Sequence, residues 1–271
     1  MHSLYQSDLP QIMGVLNITP DSFSDGGSFI DPIKARSRAE AMIEEGVDII
    51  DVGGESTRPG AKEVSINEEL DRVIPVIEAI ANLGKPVSID TSKSVVMLEA
   101  AKAGAAMIND VRALQEDGAL ESAAQTGLPI CLMHMQGKPR TMQTNPTYDD
   151  VVADVLRFLE LRIRRCEAAG IDRSLLSIDP GFGFGKSLEH NLHMLKNLER
   201  FQNLNLPVLV GMSRKSMLGQ ITDKPVEKRL AAGISVALIA AIKKANIIRV
   251  HDVAETRDAI CVFGAVYNEE I

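Results

Sequence analysis

Eight short apolar runs recur along the chain, and the longer stretches between them carry apolar residues at helical spacing. Runs that are apolar on both faces are typical of parallel strands covered by helices. Eight strand–helix repeats within 271 residues favour an α/β fold of the closed (β/α)8 or TIM-barrel type, with an open α/β sheet as the alternative. We therefore predict one barrel domain over residues 1–271. The runs begin near Ile12, Val47, Pro86, Ala106, Pro129, Leu175, Pro207 and Ile247.

Turn and cap residues support this alternation. Asp31 followed by Pro32 is typical of a helix start, because Asp caps free N–H groups and proline suits the first helical position. Glycines stand between a helical stretch and the next strand at five places, where they relieve the left-handed turn that ends a helix. These glycines are Gly46, Gly84, Gly104, Gly127 and Gly170.

Nearly every predicted strand ends in a polar residue although it begins with apolar ones. A single Asp after a strand is weak evidence, because Asp is also a common helix cap. The carboxyl ends of barrel strands, however, meet at one mouth, where the active sites of this architecture lie. The series of polar ends therefore predicts a functional pocket at that mouth. The residues are Asn17, Asp51, Asp90, Asn109, Asp110, His134, Asp179, Ser213 to Lys215, Arg249 and His251.

The last predicted strand carries two side chains that can be cationic. Arg249 and His251 are two positions apart, so a strand would direct both to the same face. Buried cations need a partner, and phosphate or pyrophosphate suits a guanidinium group, which binds it through two parallel hydrogen bonds. The alternative is a structural ion pair between Arg249 and Asp252 or a neighbouring carboxylate.

Two segments at the predicted mouth have the composition of ligand-binding loops. GGESTRPGA at residues 53–61 suggests an anion-binding lid, and NITPDSFSDGGSF at residues 17–29 suggests a flap that closes on a ligand. Each segment, taken alone, fits an ordinary surface loop equally well. GMSRKS at residues 211–216 places two cations after the seventh strand, where barrels often bind phosphate.

The segment DPGFGFGKS at residues 179–187 contains Gly-Lys-Ser but is not a P-loop, because that pattern needs a glycine where Pro180 stands. We therefore predict no nucleotide site there. His190 and His193 lie one helical turn apart without a zinc motif, and we interpret them as surface residues of a helix. Any metal would be Mg²⁺, held by oxygen ligands and substrate phosphates.

Composition restricts the partners of the chain. The net charge of −8, without a visible basic face, argues against nucleic acid. The longest apolar run, near residues 231–242, is too short to cross a bilayer, and the N-terminus does not resemble a signal peptide. Three cysteines without metal or disulfide spacing predict buried thiols in a reducing compartment. We therefore predict a cytoplasmic protein without a membrane partner.

Eight motifs, taken together, resemble those of the dihydropteroate synthases of folate biosynthesis. MGVLNITPDSFSDGG, VGGESTRPGA, SIDTSK, MINDV, CLMHMQG, DPGFGFGK, GMSRKS and RVHDV match the motif blocks of that family in order, from about residue 12 to residue 253. The resemblance implies a barrel, a homodimer and no cofactor beyond Mg²⁺. It also implies that a pterin pyrophosphate and p-aminobenzoate are the substrates and that sulfonamides compete with the latter. Ser94 departs from the proline often found there, which bears on helix initiation rather than on catalysis.

The same resemblance implies roles for individual residues. Four catalytic residues would stabilise charge as pyrophosphate leaves a pterin methylene cation, and these are Asp90, Lys215, Arg249 and His251. The pterin would contact Asp90, Asn109, Met133, Asp179 and Lys215. Pyrophosphate would contact Asn17, Arg58, Arg249 and His251, with Mg²⁺ at Asn17. p-Aminobenzoate would contact Phe23, Thr57, Pro59, Phe184 and Ser216, beside Lys215.

Two other functions are compatible with a pterin-binding barrel. A methyltetrahydrofolate:corrinoid methyltransferase would share the pterin acids, but it has no use for the STRPG and RVHDV segments as a pyrophosphate clamp. A non-catalytic paralogue would be indicated by loss of Arg58, Asp90, Lys215 or Arg249, all of which are present. The apolar segment at residues 228–244 is a candidate dimer surface, and it equally fits a helix buried in its own chain.

Overall fold

Eight parallel strands form one sheet in a computed structural model that describes residues 9–18, 31–56, 60–61, 63–137 and 142–267. They are β1 (Gln11–Asn17), β2 (Ile49–Gly53), β3 (Val87–Asp90), β4 (Met107–Asp110), β5 (Ile130–Met133), β6 (Leu176–Asp179), β7 (Leu209–Val210) and β8 (Ile247–Val250). The pairing order is β6-β5-β4-β3-β2-β1-β8-β7. A parallel bridge between Ile178 and Val208 joins the two ends of this order. The sheet therefore closes on itself, and the predicted barrel is confirmed.

Helices follow the strands and cover the outside of the barrel. Asp31 caps the first helix as predicted, because its Oδ1 accepts the Ile33 N–H at 2.9 Å. Ser94 is the first residue of its helix, and the five predicted glycines all have positive φ. The helices are α1 (Pro32–Glu44), α2 (Ile66–Ile80), α3 (Ser94–Ala103), α4 (Ala119–Thr126), α5 (Val151–Ala168), α6 (Leu188–Lys196), α7 (Ser216–Thr222), α8 (Leu230–Ile242) and α9 (Val253–Tyr267), and short 3-10 turns cover Arg173–Leu175, Leu198–Leu204 and Val226–Lys228.

The core has two parts, on either side of the sheet. The larger part lies between strands and helices and includes Ile50, Val76 and Ile108. The smaller part consists of fully buried side chains that form a cluster of their own inside the barrel. Because side chains alternate along a strand, six of the eight strands contribute to both parts, and β3 and β6 contribute only to the larger one. The inner cluster contains Met13, Ile49, Met107, Cys131, Leu209 and Ile247.

α8, the apolar segment considered as a dimer surface, is buried on one face only. Val236 and Ala240 pack into the core, whereas Ile239 and Ile242 are 40% and 54% exposed. Cys261 on the neighbouring α9 is exposed, so the expectation that all three thiols are buried is wrong for this residue. In the described parts of the chain, no helix has the length and apolar character needed to cross a membrane.

Candidate active site

The ends of four neighbouring strands lie side by side at the mouth of the barrel, and three of them carry a polar side chain. The register pairs Asn17 of β1 with Gly53 of β2, Gly53 with Asp90 of β3, and Asp90 with Asn109 of β4. A side chain at Gly53 would place its Cβ atom 3.8 Å from both Asn17 Oδ1 and Asp90 Oδ2. The glycine therefore leaves the space between these two polar groups free of a side chain. One carboxylate and two amides thus converge as predicted.

The inner cluster of the barrel explains why these polar side chains face inward. Side chains two positions apart on a strand share a face. On three strands an apolar residue of the inner cluster is followed, two positions later, by a polar residue nearer the mouth. The apolar floor and the polar mouth are therefore successive layers of one interior. The pairs are Ile49 and Asp51, Met107 and Asn109, and Ile247 and Arg249.

Arg249 is ion-paired with two carboxylates at this mouth. Its Nε donates to Asp51 Oδ2 at 2.6 Å, and its Nη2 donates to Asp90 Oδ2 at 2.8 Å. The sequence left open a structural pair with Asp252, but Asp252 instead binds the guanidinium group of Arg214. The partners of Arg249 come from two other strands, which places both carboxylates within reach of one cation.

Asp51 is the site residue to which the sequence assigned no role. It is fully buried, and its Oδ2 accepts hydrogen bonds from Arg249 and, at 3.2 Å, from Asn109 Nδ2. Its Oδ1 has no hydrogen-bond partner within the described residues. The sequence signal was only a position at a strand end, which it shares with many helix caps. Asp51 therefore orients two of the predicted site residues.

Asp90 and Arg249 shift each other's pKa, and the Asp51 carboxylate acts on both. Burial raises the pKa of Asp90 to about 7, with Arg249 acting against this rise and Asp51 adding to it. Burial disfavours the charged form of Arg249, but the Asp51 and Asp90 carboxylates outweigh this and raise its pKa further. Arg249 is therefore cationic at neutral pH, whereas Asp90 changes charge near neutrality, as is common in functional sites.

The other side of the mouth is formed by β6 and by the segments after β6 and β7. Asp179 is buried, and its Oδ1 accepts the Gly181 N–H at 2.7 Å. Lys215 donates through Nζ to the Phe182 carbonyl oxygen at 2.5 Å. The same Nζ lies 4.5 Å from the centre of the Phe184 ring, within the range of a cation–π contact. Predicted pterin and p-aminobenzoate residues therefore touch each other.

Lys215 and Asp179 also influence each other electrostatically. Burial lowers the pKa of Lys215 to about 8, and Asp179 opposes this decrease. Burial raises the pKa of Asp179, and Lys215 opposes that increase. Gly211 leaves room between the two cations of the site, because a Cβ atom there would lie 3.6 Å from Arg249 Cβ and 3.9 Å from Lys215 Nζ.

The remaining described residues of the predicted site have other surroundings. Met133, the last residue of β5, is buried. His251 follows β8, which ends at Val250, so strand alternation does not align it with the preceding arginine as the sequence suggested. Its Nδ1 lies 3.2 Å from Ser213 Oγ. Ser216 is exposed and is the first residue of α7.

Four predicted site residues lie outside the described part of the chain. They belong to the two loops that follow β1 and β2, and their contacts with an anion and with p-aminobenzoate stay predictions. These residues are Phe23, Thr57, Arg58 and Pro59.

The described residues offer few ligands for a metal ion. Within them, no group of three or more His, Cys, Asp or Glu side chains is arranged to hold one. His190 closes a capping box with Ser187 at the start of α6, and His193 is exposed, which agrees with their interpretation as helix residues. The amide oxygen of Asn17 is the type of donor that Mg²⁺ uses when phosphate and water supply its other ligands.

Comparisons with known proteins agree with this arrangement. The family described as pterin binding enzyme matches residues 13–251. The chain is 58% identical to the dihydropteroate synthase of Escherichia coli (strain K12), over 94% of this chain and 91% of that protein. The Yersinia pestis dihydropteroate synthase in a sulfonamide drug complex has a TM-score of 0.92 at 54% identity, covering 96% of this chain and 95% of that chain. The Xanthomonas albilineans dihydropteroate synthase in complex with 7,8-dihydropteroate has a TM-score of 0.87 at 47% identity, covering 98% of this chain and 95% of that chain.

The family match spans seven of the eight strands completely and begins inside β1. The relatives share nearly the whole length of the chain, so the likeness covers the barrel and its mouth together. The chain therefore belongs to the pterin binding enzyme family and, within it, to the dihydropteroate synthases, which are transferases of folate biosynthesis.

Proposed function

We propose that this chain condenses 7,8-dihydropterin-6-ylmethyl pyrophosphate with p-aminobenzoate to give 7,8-dihydropteroate and pyrophosphate. The observation that carries the proposal is the convergence of Arg249, Asp90 and Asn109 with Lys215 and Asp179 at one barrel mouth. Relatives solved with a sulfonamide and with 7,8-dihydropteroate support the same pair of substrates.

The pterin ring needs a surface that both donates and accepts hydrogen bonds. Asp90 and Asp179 accept from ring N–H groups, while Asn109 and Lys215 donate to the ring oxygen and nitrogens. Met133 offers an apolar contact. All five are described residues near the ends of neighbouring strands or just after them, so one flat ligand can reach them together.

The reaction separates charge at the pterin methylene carbon. Its bond to the pyrophosphate oxygen breaks, the electron pair leaves with pyrophosphate, and a methylene cation remains. The p-aminobenzoate amine attacks this cation and then releases a proton to solvent. Arg249 and His251, with Arg58 from the loop after β2, hold the leaving anion, and Asp90 stabilises the cation as its charge develops. An aniline nitrogen is nucleophilic while neutral, so the site needs no strong base.

Mg²⁺ fits this site as an ion held mainly by substrate and water. Asn17 would supply the protein ligand, because its amide oxygen lies at the mouth in the same strand row as Asp90. When bound, the ion would neutralise charge on the pyrophosphate. Asn17 itself orients that end of the substrate. Pyrophosphate release measured with Mg²⁺ and after its chelation tests this part of the proposal.

p-Aminobenzoate would bind beside the pterin, against Phe184 and Lys215. The Lys215 ammonium group lies over the Phe184 ring, which gives an apolar wall next to a cation. That combination suits an aromatic carboxylate. Phe23, Thr57 and Pro59 from the two loops, and Ser216 at the start of α7, would complete the pocket.

Sulfonamides are expected to compete with p-aminobenzoate for this pocket. They present an aromatic amine and a polar group at similar spacing, so both ligands would contact Phe184 and Lys215. Initial rates at several p-aminobenzoate concentrations should show a raised KM and an unchanged kcat. A lowered kcat with an unchanged KM would contradict a shared pocket.

We also propose that the chain forms a homodimer through α8 and α9. Ile242 on α8 is 54% exposed, and Val262 and Val266 on α9 are each 66% exposed, so apolar side chains line neighbouring helices. Sedimentation should show a dimer that Ile242→Glu dissociates. Leu161→Glu on α5, at 53% exposure, is the matched control and should stay dimeric. A monomeric wild-type protein would contradict the proposal.

A further inference from the structure

The loop between β6 and α6 is held in place mainly by side chains, and it has one backbone hydrogen bond of its own, from the Phe184 N–H to the Gly181 carbonyl oxygen at 3.1 Å. In this platform loop, residues 181–185, each of five consecutive carbonyl oxygens accepts a hydrogen bond from a side chain. Such a loop is fixed from several directions at once. The donors are Lys186 to Gly181 and to Phe184, Lys215 to Phe182, Gln143 to Gly183, and Tyr148 to Gly185.

Lys186 makes two of these five contacts and is 3% exposed. Its Nζ donates to Gly181 O at 2.9 Å and to Phe184 O at 3.0 Å, and it lies 2.9 Å from His134 Nδ1. Burial lowers the pKa of Lys186 well below its ordinary value, and Asp179 opposes this decrease. Its N–H groups donate to the two carbonyl oxygens, and its contact with His134 Nδ1 is a third hydrogen bond whose direction follows the imidazole tautomer. Burial and, to a smaller extent, the neighbouring Lys186 lower the pKa of His134 to about 2, so the imidazole is neutral.

The platform loop also packs directly on the segment after β5. A Cβ atom on Gly181 would lie 1.8 Å from His134 O, and one on Gly185 would lie 2.5 Å from Gln136 O. The two backbones therefore touch without a side chain between them, which only glycine permits here. The Lys186–His134 contact joins the same two segments from their side chains.

The platform loop positions two residues that face the second substrate in the proposed function. Phe184 belongs to it, and Lys215 is fixed to it through the Phe182 carbonyl oxygen at 2.5 Å. A shift of the loop would move both the aromatic ring and the cation above it. By contrast, Asp90 and Asn109 lie on β3 and β4 and are held by Arg249 and Asp51.

We propose that Lys186, together with His134, is a positioning residue that sets Phe184 and Lys215 for p-aminobenzoate. The proposal rests on the proposed function, in which these two residues form the p-aminobenzoate pocket. Without the Lys186 side chain, the carbonyl oxygens of Gly181 and Phe184 lose buried partners, which favours a rearranged loop. Misplacement of a binding group by about 1 Å is enough to cost a large factor in rate.

Lys186→Met is the main test, because methionine keeps an unbranched chain of similar length but cannot donate. The KM for p-aminobenzoate should rise about tenfold. The affinity for the pterin pyrophosphate should fall by a smaller factor of about threefold, because Lys215 also contacts the pterin but Asp90 and Asn109 hold it from β3 and β4. Lys196→Met, an exposed lysine at the end of α6, is the matched control and should leave both values unchanged. A folded Lys186→Met protein with both constants at wild-type values, or with both worsened equally, would overturn the proposal.

His134 offers a second test that does not depend on how Lys186→Met folds. His134→Asn places an amide group, which can accept or donate, near the position of Nδ1, so it should keep the KM for p-aminobenzoate within about threefold of wild type. His134→Leu removes the hydrogen-bond partner of Lys186 and should raise that KM about tenfold. Equal effects of the two substitutions would contradict a role for the Lys186 contact.

Phe184→Ala tests the proposed p-aminobenzoate pocket independently of the positioning role of Lys186. If Phe184 contacts p-aminobenzoate, the KM for that substrate should rise about tenfold or more on its truncation. An unchanged KM would contradict the proposed pocket itself. A raised KM in Phe184→Ala with wild-type values in Lys186→Met and His134→Leu would leave the pocket in place and overturn only the positioning role.

Discussion

Replacing Arg249 with alanine is expected to lower kcat/KM for the pterin pyrophosphate by about 10³-fold. Arg249 is the cation that joins Asp51 to Asp90 in the described structure and would meet the departing pyrophosphate. Its removal takes away stabilisation of the leaving anion. It also leaves the buried Asp51 and the partly buried Asp90 without their counter-charge, which costs about 3–5 kcal/mol of folding free energy when they stay ionised. Pyrophosphate release and urea unfolding measure the two effects separately.

Two further substitutions show whether the loss is specific to this cation. Arg249→Lys keeps a positive charge but lacks the fork that reaches both carboxylates, so intermediate activity is expected. Arg164→Ala removes an arginine on α5 that is 70% exposed, and it should leave both turnover and stability near wild type. A folded Arg249→Ala protein with wild-type turnover would contradict the anion clamp.

The titration of Asp90 is expected to determine how kcat/KM depends on pH on the acidic side of its optimum. Its pKa is raised to about 7, so the carboxyl is neutral below this pH and anionic above it. Because the anion stabilises the pterin cation, kcat/KM should rise as pH increases through about 7. Lys215, with a pKa lowered to about 8, loses its charge on the alkaline side and should give a decline there. A plot of kcat/KM against pH should therefore be bell-shaped and narrow.

Asp90→Asn tests this assignment directly. Asparagine keeps the size of the side chain but not its charge, so the rate should fall by about 10²–10³-fold and the acidic limb should disappear. Asp71→Asn on the exposed face of α2 is the control and should keep both limbs. If the Asp90→Asn protein kept the wild-type acidic limb, another group would have to titrate there.

The barrel could be predicted because each strand and helix carries its own local signals. Continuous apolar runs, helical patterns, the Asp31-Pro32 cap and the glycines after helices agreed along the chain. β7 is the weakest case, since the predicted run begins at Pro207, which has no N–H to donate, and the paired strand covers only Leu209–Val210. Its neighbour β6 is reached instead through the Ile178–Val208 bridge.

The partners of the site residues could not be predicted in the same way. Arg249 meets Asp51 and Asp90 across 198 and 159 positions of sequence, a closeness that arises only when the barrel closes. In the sequence, Asp51 and Asp90 look alike, because each stands near the end of a predicted strand. In the structure, Asp51 is buried and accepts hydrogen bonds from two side chains, whereas Asp90 lies at the mouth beside Gly53. This difference depends on the register between the strands, which local sequence patterns do not encode.

The role of Lys186 is a second feature that could not be predicted from the sequence. In the sequence it looked like part of an incomplete phosphate-binding pattern, and the rejection of that pattern left it without a role. Its burial depends on two backbones that approach closely at Gly181 and Gly185, a feature of tertiary structure. The glycines were visible in the sequence, but the segment against which they pack was not.

The most direct test is the reaction itself, followed by both products. Purified protein would be mixed with 7,8-dihydropterin-6-ylmethyl pyrophosphate and Mg²⁺, with and without p-aminobenzoate, and assayed for pyrophosphate and 7,8-dihydropteroate. The proposed function predicts that both products appear in equal amounts and that dihydropteroate forms only when p-aminobenzoate is present. Tight binding of the pterin substrate without either product, in a protein that carries Asp90, Lys215 and Arg249, would contradict it.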